Sequence, residues 1–324
     1  MNKIKVGILG YGNLGQGVEM AVHQAEDMEL VGVFSRRQPS QLTTESPTFS
    51  VDELEKMKDQ IDVLILCGSS DKDLPKQGPY FAQYFNTVDS FDTHNDIPAY
   101  FNKVDKSAED GGYVSVISSG WDPGLFSLNR LISEAILPAG ETYTFWGPGK
   151  SQGHGAAVRQ VEGVKDAVQY TIPSQKLLDE INQGHSIEYT STTAHVREVF
   201  AVLEEDADPE QVEQMIVNME NYFKDYETKV CFISQEELDR DHGGVPHGGR
   251  VIRQGYTDES NQSLYEFRLN LDSNPEFTAA VNVACARAAY RMAEKGMVGA
   301  QTIFDIPPVL LSPKSAEELR RELL

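Results

Sequence analysis

Lys3-Ile4-Lys5-Val6-Gly7-Ile8-Leu9-Gly10-Tyr11-Gly12-Asn13-Leu14-Gly15 decides the fold of this chain. Lys3 to Leu9 reads as a short buried strand, and Val18-Glu19-Met20-Ala21-Val22 reads as the opening turns of a helix. Three glycines spaced Gly-x-Gly-x-x-Gly between such a strand and such a helix form a dinucleotide-binding turn. The first makes the tight turn, the second admits a pyrophosphate to the backbone, and the third lets helix pack on strand. The helix N-terminus adds unpaired N–H groups and the positive end of its dipole. Gly10, Tyr11, Gly12, Asn13, Leu14 and Gly15 are therefore the first candidate cofactor residues.

The next apolar run, Leu30-Val31-Gly32-Val33-Phe34, ends in Ser35-Arg36-Arg37. A chain that binds NAD carries an acidic residue here for the ribose 2′-hydroxyl. This one offers a hydroxyl and two guanidinium groups, whose forks match phosphate oxygens. The spacing points to NADP(H) as cofactor; the plainer alternative is a solvated basic turn.

Farther along, Ile61-Asp62-Val63-Leu64-Ile65-Leu66-Cys67 reads as a buried strand. Cys67, Gly68, Ser69 and Ser70 follow at the carboxyl edge, where open α/β sheets bind ligands. A helix entered through Pro75 is expected over 75–85, and further strands from Asn86 and from Val114. This alternation predicts a parallel, doubly wound sheet over about the first 120 residues. After Trp121 the pattern changes: alternating stretches at 189–203, 227–233 and 262–271 suggest a mixed or antiparallel sheet. Phe277 to Lys295 is an alanine-rich helix able to approach another helix closely, within the chain by preference or across a dimer, and Ser315-Ala316-Glu317-Glu318 is a capping box. The expected class is α/β, an N-terminal Rossmann domain with a second α+β domain for substrate binding and dimerisation. The first domain is placed at 1–120 plus about 298–324, and the second at 121–297.

The chain has 324 residues, ample for two domains with real cores. A formal charge of −22 argues against nucleic acid or anionic membranes as partners, so any anionic ligand must be caught by local arginines. Cys67, Cys231 and Cys285 are few and far apart, which suits a reducing cytoplasm. The N-terminus does not read as a signal peptide, no apolar run approaches the ~20 residues of a membrane helix, and the seven histidines show no zinc-ligand spacing.

Three constellations carry chemistry. Val88-Asp89-Ser90-Phe91-Asp92-Thr93-His94 and Ser118-Ser119-Gly120-Trp121-Asp122-Pro123-Gly124 each bring a carboxylate to a strand end. Paired carboxylates beside a hydride acceptor suit an amine substrate: they attract ammonium, and one takes its proton. The alternative is that Asp92 caps a helix and Asp122 fixes a turn. Phe145-Trp146-Gly147-Pro148-Gly149-Lys150-Ser151-Gln152-Gly153-His154 is a shaped loop, either a carboxylate receptor or a structural turn. Thr171, Arg197, His247 and Asn274 are polar residues in apolar or glycine-rich surroundings, and Arg197 is able to fork onto a carboxylate.

In this order these segments resemble the meso-diaminopimelate dehydrogenases over nearly the whole chain. Trp146-Gly147-Pro148-Gly149 and Gln152-Gly153-His154 are the most specific of them; Pro246-His247-Gly248-Gly249, Asp272-Ser273-Asn274-Pro275 and Leu310-Leu311-Ser312-Pro313 add to the match. The resemblance implies NADP-dependent, reversible oxidative deamination of meso-2,6-diaminopimelate at its D-centre, in lysine biosynthesis. The products are L-2-amino-6-oxopimelate, the open form of tetrahydrodipicolinate, and ammonia. It also implies that Asp92, Asp122, Trp146, Gln152 and Gly153 surround the substrate, that Thr171, Arg197, His247 and Asn274 hold a carboxylate, and that the enzyme is a homodimer. Asp122 is the favoured proton acceptor, with bound water next, and Asp92 is the second catalytic carboxylate. Lys150 and Gly155 stand in a variable part of the loop. Another Rossmann reductase of the same pathway and a silent NADPH-binding regulator are the competing readings.

Overall fold

The computed structural model describes residues 3–324, apart from the side chain of Gln152. The chain divides into two compact units, Met1–Leu128 with Pro275–Leu324, and Asn129–Asn274.

Unit one is built on seven parallel strands: β1 (Ile4–Leu9), β2 (Met28–Ser35), β3 (Thr48–Ser50), β4 (Val63–Leu66), β5 (Asn86–Asp89), β6 (Val114–Val116) and, from the end of the chain, β14 (Gly299–Gln301). Their order is β14-β6-β5-β4-β1-β2-β3. The chain winds outward from β1 to β3, then restarts at β4 on the other side of β1. That reversal is the switch point at which open sheets bind ligands.

The central strand β4 is apolar throughout because both its faces are covered. In β4, Val63 and Ile65 join one core with Val6, Ile8 and Val18, whereas Leu64 and Leu66 join another with Phe81, Tyr100 and Val104. α1 (Asn13–Gln24) covers the first face; α2 (Leu74–Phe81) and α3 (Ile97–Gly111) cover the second. α3 stops at Gly112, whose φ of 79° is the left-handed C-terminal turn that glycine adopts without strain. α4 (Leu125–Ile136) follows β6.

The alanine-rich helix, α10 (Asn274–Ala293), corrects the expected boundary. The expected second domain, 121–297, includes it, yet it belongs to unit one from Pro275 on. Ala279, Val283, Ala286, Ala289 and Met292 are part of the first core beside α1. A Cβ built on Gly17 of α1 would lie 2.9 Å from the Ala279 Cβ, so the small residues serve helix packing inside the chain. Arg287 forks onto Asp27 at 2.6 and 2.8 Å and donates to the Leu311 carbonyl, while Arg291 donates to those of Leu310 and Ser312. The Leu310-Leu311-Ser312 segment is thereby fastened to α10. The last helix, α11 (Ala316–Leu323), starts with the expected Ser315–Glu318 capping box.

Unit two holds two sheets. One, in the order β11-β10-β9-β8, contains β8 (Gly149–Lys150), β9 (Val164–Pro173), β10 (His195–Leu203) and β11 (Glu227–Phe232). It is mixed, since β10 runs antiparallel to β9 and parallel to β11. The other, β13-β12-β7, is antiparallel and contains β7 (Ala139–Trp146), β12 (His247–Tyr256) and β13 (Gln262–Leu271). Between these strands lie α5 (Gln152–Val158), α6 (Gln175–Asn182), α7 (Ser191–Ala194), α8 (Pro209–Val217) and α9 (Gln235–Asp241). The stretch read as alternating from 189 becomes a strand only at His195, because Thr190 caps the short helix before it. Among the described residues, no helix is long and apolar enough to cross a membrane.

Candidate active site

Unit one has a cavity of about 260 Å³ at the carboxyl ends of β1, β2 and β4. Gly10, Tyr11 and Gly12 line it from β1, Ser35, Arg36 and Arg37 from β2, and Cys67, Gly68 and Ser69 from β4. Asn13, Leu14 and Gly15 are not in its wall; they form the first turn of α1.

The glycines of the turn have separable reasons. A Cβ on Gly15 would lie 2.2 Å from the Gly10 carbonyl oxygen, so helix and turn close only on glycine. A Cβ on Gly12 would meet nothing within 4 Å, so the protein itself does not demand glycine there. Gly12 is the N-cap of α1, without a side-chain cap, and the first turn holds no acidic residue. An open approach to an uncapped, positive helix end fits a diphosphate.

Arg36 Nη2 lies 2.9 Å from Asp73 Oδ1, with the arginine side chain 77% exposed. A pair so exposed is worth about 0–1 kcal/mol, so a phosphate dianion readily takes the guanidinium. Arg37 donates through Nη2 to the Tyr11 carbonyl and through its backbone N–H to Ser35 Oγ. Asp73 accepts from the backbone N–H and the hydroxyl of Ser69, both at 3.0 Å. The backbone bond foremost, opposed by partial burial, holds its carboxyl below the usual range. Gln77 also lines the cavity, and its buried Oε1 has no partner. These features fit a phosphorylated dinucleotide. Asp73 and Gln77 escaped sequence reasoning; the legible hint was an acid four residues after Ser69, positioned to close the turn.

Beyond β5 and β6 stand the aspartates. Asp89, the last residue of β5, is buried and accepts from the Tyr100 hydroxyl at 2.6 Å and from the N–H groups of Phe91 and Ser118 at 3.0 Å each. Burial pushes its pKa up against these bonds. Asp89 is thus the framework carboxylate of this segment, and Asp92 is the one that emerges exposed. The Asp92 N–H donates to Ser70 Oγ at 3.1 Å, which makes Ser70 a support for Asp92 rather than part of the cofactor cavity. Asp92 does not cap a helix: Asp96 occupies the N-cap of α3. Asp122 is half-buried between Trp121 and a cis bond to Pro123.

In unit two, register brings the remaining residues together. Gly149 of β8 pairs with Thr171 of β9, which pairs with Arg197 of β10. Arg197 is 7% exposed; its Nη1 donates to Thr171 Oγ1 and its guanidinium lies 4.1 Å above the Tyr226 ring. Its Nε is buried without a partner, and among the described residues no carboxylate pairs with it. Its neighbours are kept neutral. Burial, and secondarily Arg197 itself, pushes His154 down to about 4. Burial also lowers His195, whose Nε2 accepts from the Trp146 N–H while Nδ1 donates to the Ser191 carbonyl, each at 2.9 Å. A buried cation among neutral groups is a receptor for an anion.

His247 packs against Gly149 so closely that a Cβ there would lie 2.5 Å from its ring. Its Nδ1 accepts from the Gly248 N–H at 2.8 Å, and burial lowers its pKa. Trp146 is half-buried beside the His195 ring, at 5.5 Å. Asn274 donates its N–H to the Val245 carbonyl at 3.2 Å, two residues before His247. Gly153 is exposed near the start of α5; Gln152 opens that helix, and its side chain lies outside the described residues. Tyr226, His154 and His195 were not singled out as site residues in the sequence, since nothing local announces a ring that will meet a distant arginine.

Residues 120–273 match the family model described as the diaminopimelic acid dehydrogenase C-terminal domain. The chain is 58% identical to the meso-diaminopimelate D-dehydrogenase of Ureibacillus thermosphaericus, covering 100% of both. Among solved structures it is similar to a multiply substituted meso-diaminopimelate dehydrogenase of Clostridium tetani, solved with diaminopimelate, at 49% identity and a TM-score of 0.92, covering 99% of this chain and 100% of the other. It is also similar to an engineered D-amino acid dehydrogenase bound to NADP+, at 42% identity and a TM-score of 0.85, covering 100% of each. Identity at this level, sustained from end to end of a chain that carries both the nucleotide turn and the buried arginine, places it: this chain belongs to the meso-diaminopimelate D-dehydrogenase family.

Proposed function

We propose that this enzyme catalyses the NADP-dependent, reversible oxidative deamination of meso-2,6-diaminopimelate at its D-centre, giving L-2-amino-6-oxopimelate and ammonia. The observation that carries this reading is Arg197, a buried guanidinium with an unpartnered Nε and, among the described residues, no carboxylate of its own. A dicarboxylate substrate supplies the missing anion, and a diamine explains the two aspartates on the sheet-edge loops.

Ser35, Arg36 and Arg37 would hold the 2′-phosphate, and the N-terminus of α1 beyond Gly12 would hold the diphosphate. When bound, NADP+ would supply the hydride acceptor for the amine-bearing carbon. Asp122 takes the ammonium proton, so that nitrogen can share its lone pair with that carbon, and Asp92 holds positive charge nearby. Arg197, Thr171, His247 and Asn274 clamp a carboxylate, and Trp146, Gln152 and Gly153 shape the surrounding wall. Holding the far end selects one stereocentre, because positioning rather than intrinsic reactivity then decides which C–H bond is broken. Water replaces nitrogen and ammonia departs.

The test is NADP+ reduction with the meso, LL and DD isomers supplied separately. Reduction with the meso isomer, and none with LL, is expected; a silent meso isomer refutes the reading.

A homodimer fits unit two, which exposes Leu131, Ile136, Tyr256 and Leu264 at 47%, 62%, 45% and 47%. Sedimentation at two concentrations checks it. The three cysteines are all free, which fits work in the cytoplasm.

A further inference from the structure

We infer that Asn282 is a positioning residue for the reaction, a single buried carboxamide that sets the two aspartate-bearing loops against each other; the inference rests on the function proposed above. Asn282 lies on α10 with no exposure at all. Its Nδ2 donates to Ser90 Oγ at 2.8 Å, and its Oδ1 lies 2.7 Å from Ser119 Oγ. Ser90 comes two residues before Asp92, and Ser119 three before Asp122. The Ser119 hydroxyl also lies 3.0 Å from the Asp89 carbonyl, so its one proton serves two acceptors.

Packing alone gives no reason for an amide here. The neighbouring buried positions of α10 are Ala279, Val283, Cys285 and Ala286, all apolar. A buried amide is costly unless both ends are bonded, and here two different loops bond them. The second loop also needs holding, because Ser118 has φ 53°, in the left-handed region that serine seldom occupies. Asp89 holds that residue's N–H, and Asn282 holds the next residue's side chain. The helix that presents Asn282 is itself fixed by the Arg287–Asp27 fork. Asn282 touches neither substrate nor cofactor in this scheme; it acts through the spacing of Asp92 and Asp122.

The test compares Asn282→Leu, Ser90→Ala and the double variant with wild type, by kcat and KM for meso-diaminopimelate, NADPH Kd by fluorescence, and Tm. Asn282→Leu should lower kcat at least tenfold with NADPH Kd within twofold. Ser90→Ala should lower kcat about threefold, and the double variant should be no slower than Asn282→Leu, because both cut one bridge. Wild-type kcat in a folded Asn282→Leu overturns the inference, as do losses that simply multiply in the double variant. Should Asn282→Leu not fold, wild-type kcat in Ser90→Ala overturns it instead. A wild-type enzyme inactive on meso-diaminopimelate fails the functional reading and this inference with it; an active one with unaltered variants fails this inference alone.

Discussion

Replacing Arg197 by methionine should cost activity far more than stability. Without substrate, the guanidinium is buried with one N–H orphaned and, among the described residues, no carboxylate to neutralise it. Removing a buried unsatisfied group relieves about 1–3 kcal/mol, and methionine keeps most of the volume. The substitution also forfeits the contact with the Tyr226 ring, worth about 0.5–2 kcal/mol, and the buried bond to Thr171 Oγ1, worth about 1.5–3 kcal/mol. The net is a loss near 1–2 kcal/mol, or roughly 2–8 °C in Tm for a unit of this size. Substrate binding loses more: removing one partner of a buried charge pair costs about 2–5 kcal/mol. At about 1.4 kcal/mol per decade, kcat/KM for meso-diaminopimelate should fall roughly 30- to 4,000-fold. Scanning calorimetry on the ligand-free protein and initial rates at saturating NADP+ measure the two effects. A kcat/KM within threefold of wild type would show that Arg197 serves the fold and receives no substrate.

Four further outcomes are expected. Arg36→Ala should weaken NADPH roughly 10- to 150-fold, the worth of about 1.5–3 kcal/mol in charge-assisted bonds, and NADH less than twofold; equal losses in titrations would leave no phosphate at this site. Gly12→Ala should leave the Tm of the free protein within about 1 °C, since the added methyl meets nothing within 4 Å, yet raise the NADPH Kd tenfold or more; intact affinity would mean that the diphosphate lies elsewhere. Asp122→Asn should cut kcat by about 10²–10⁴, the usual worth of a general base, while NADPH affinity holds; near-normal turnover removes Asp122 from proton transfer. His154 titrates at about 4 when folded and near 6.5 when unfolded. Protons therefore favour the unfolded chain, and stability present above pH 6.5 is lost as pH falls toward 4. Urea midpoints should show a shallower decline over that window in His154→Phe than in wild type; parallel declines would discount the histidine.

What the sequence disclosed was local. The Gly10–Gly15 turn, the buried run before Cys67 and the Ser35-Arg36-Arg37 end of β2 each carry their signal within a dozen residues, and each stands in or beside the cavity. The aspartates were half legible. A strand-end acid is visible as a residue type, but which of Asp89 and Asp92 faces inward depends on Tyr100 and Ser118, brought in from other elements. Arg197 was readable only as an odd charge among apolar residues. Its meaning comes from register, which sets it beside Thr171, and from Tyr226, which the sequence leaves 29 residues away. The alanine-rich helix misled for a related reason. Small residues announce close packing without naming the partner, and adjacency in the chain favoured the wrong unit.

That misplaced helix has a consequence for how the molecule is made on the ribosome. The first core is unfinished until α10 arrives, and β6 stays an open sheet edge until β14 pairs with it. Some 170 residues separate the end of the first segment from β14, roughly 10–35 s of synthesis at about 5–20 residues per second. The intervening unit is contiguous and complete in sequence before then, so the part of the protein begun first is closed last. Throughout that interval the nascent nucleotide-binding sheet has a bare edge and an uncovered apolar face, the form in which a chain most needs a chaperone.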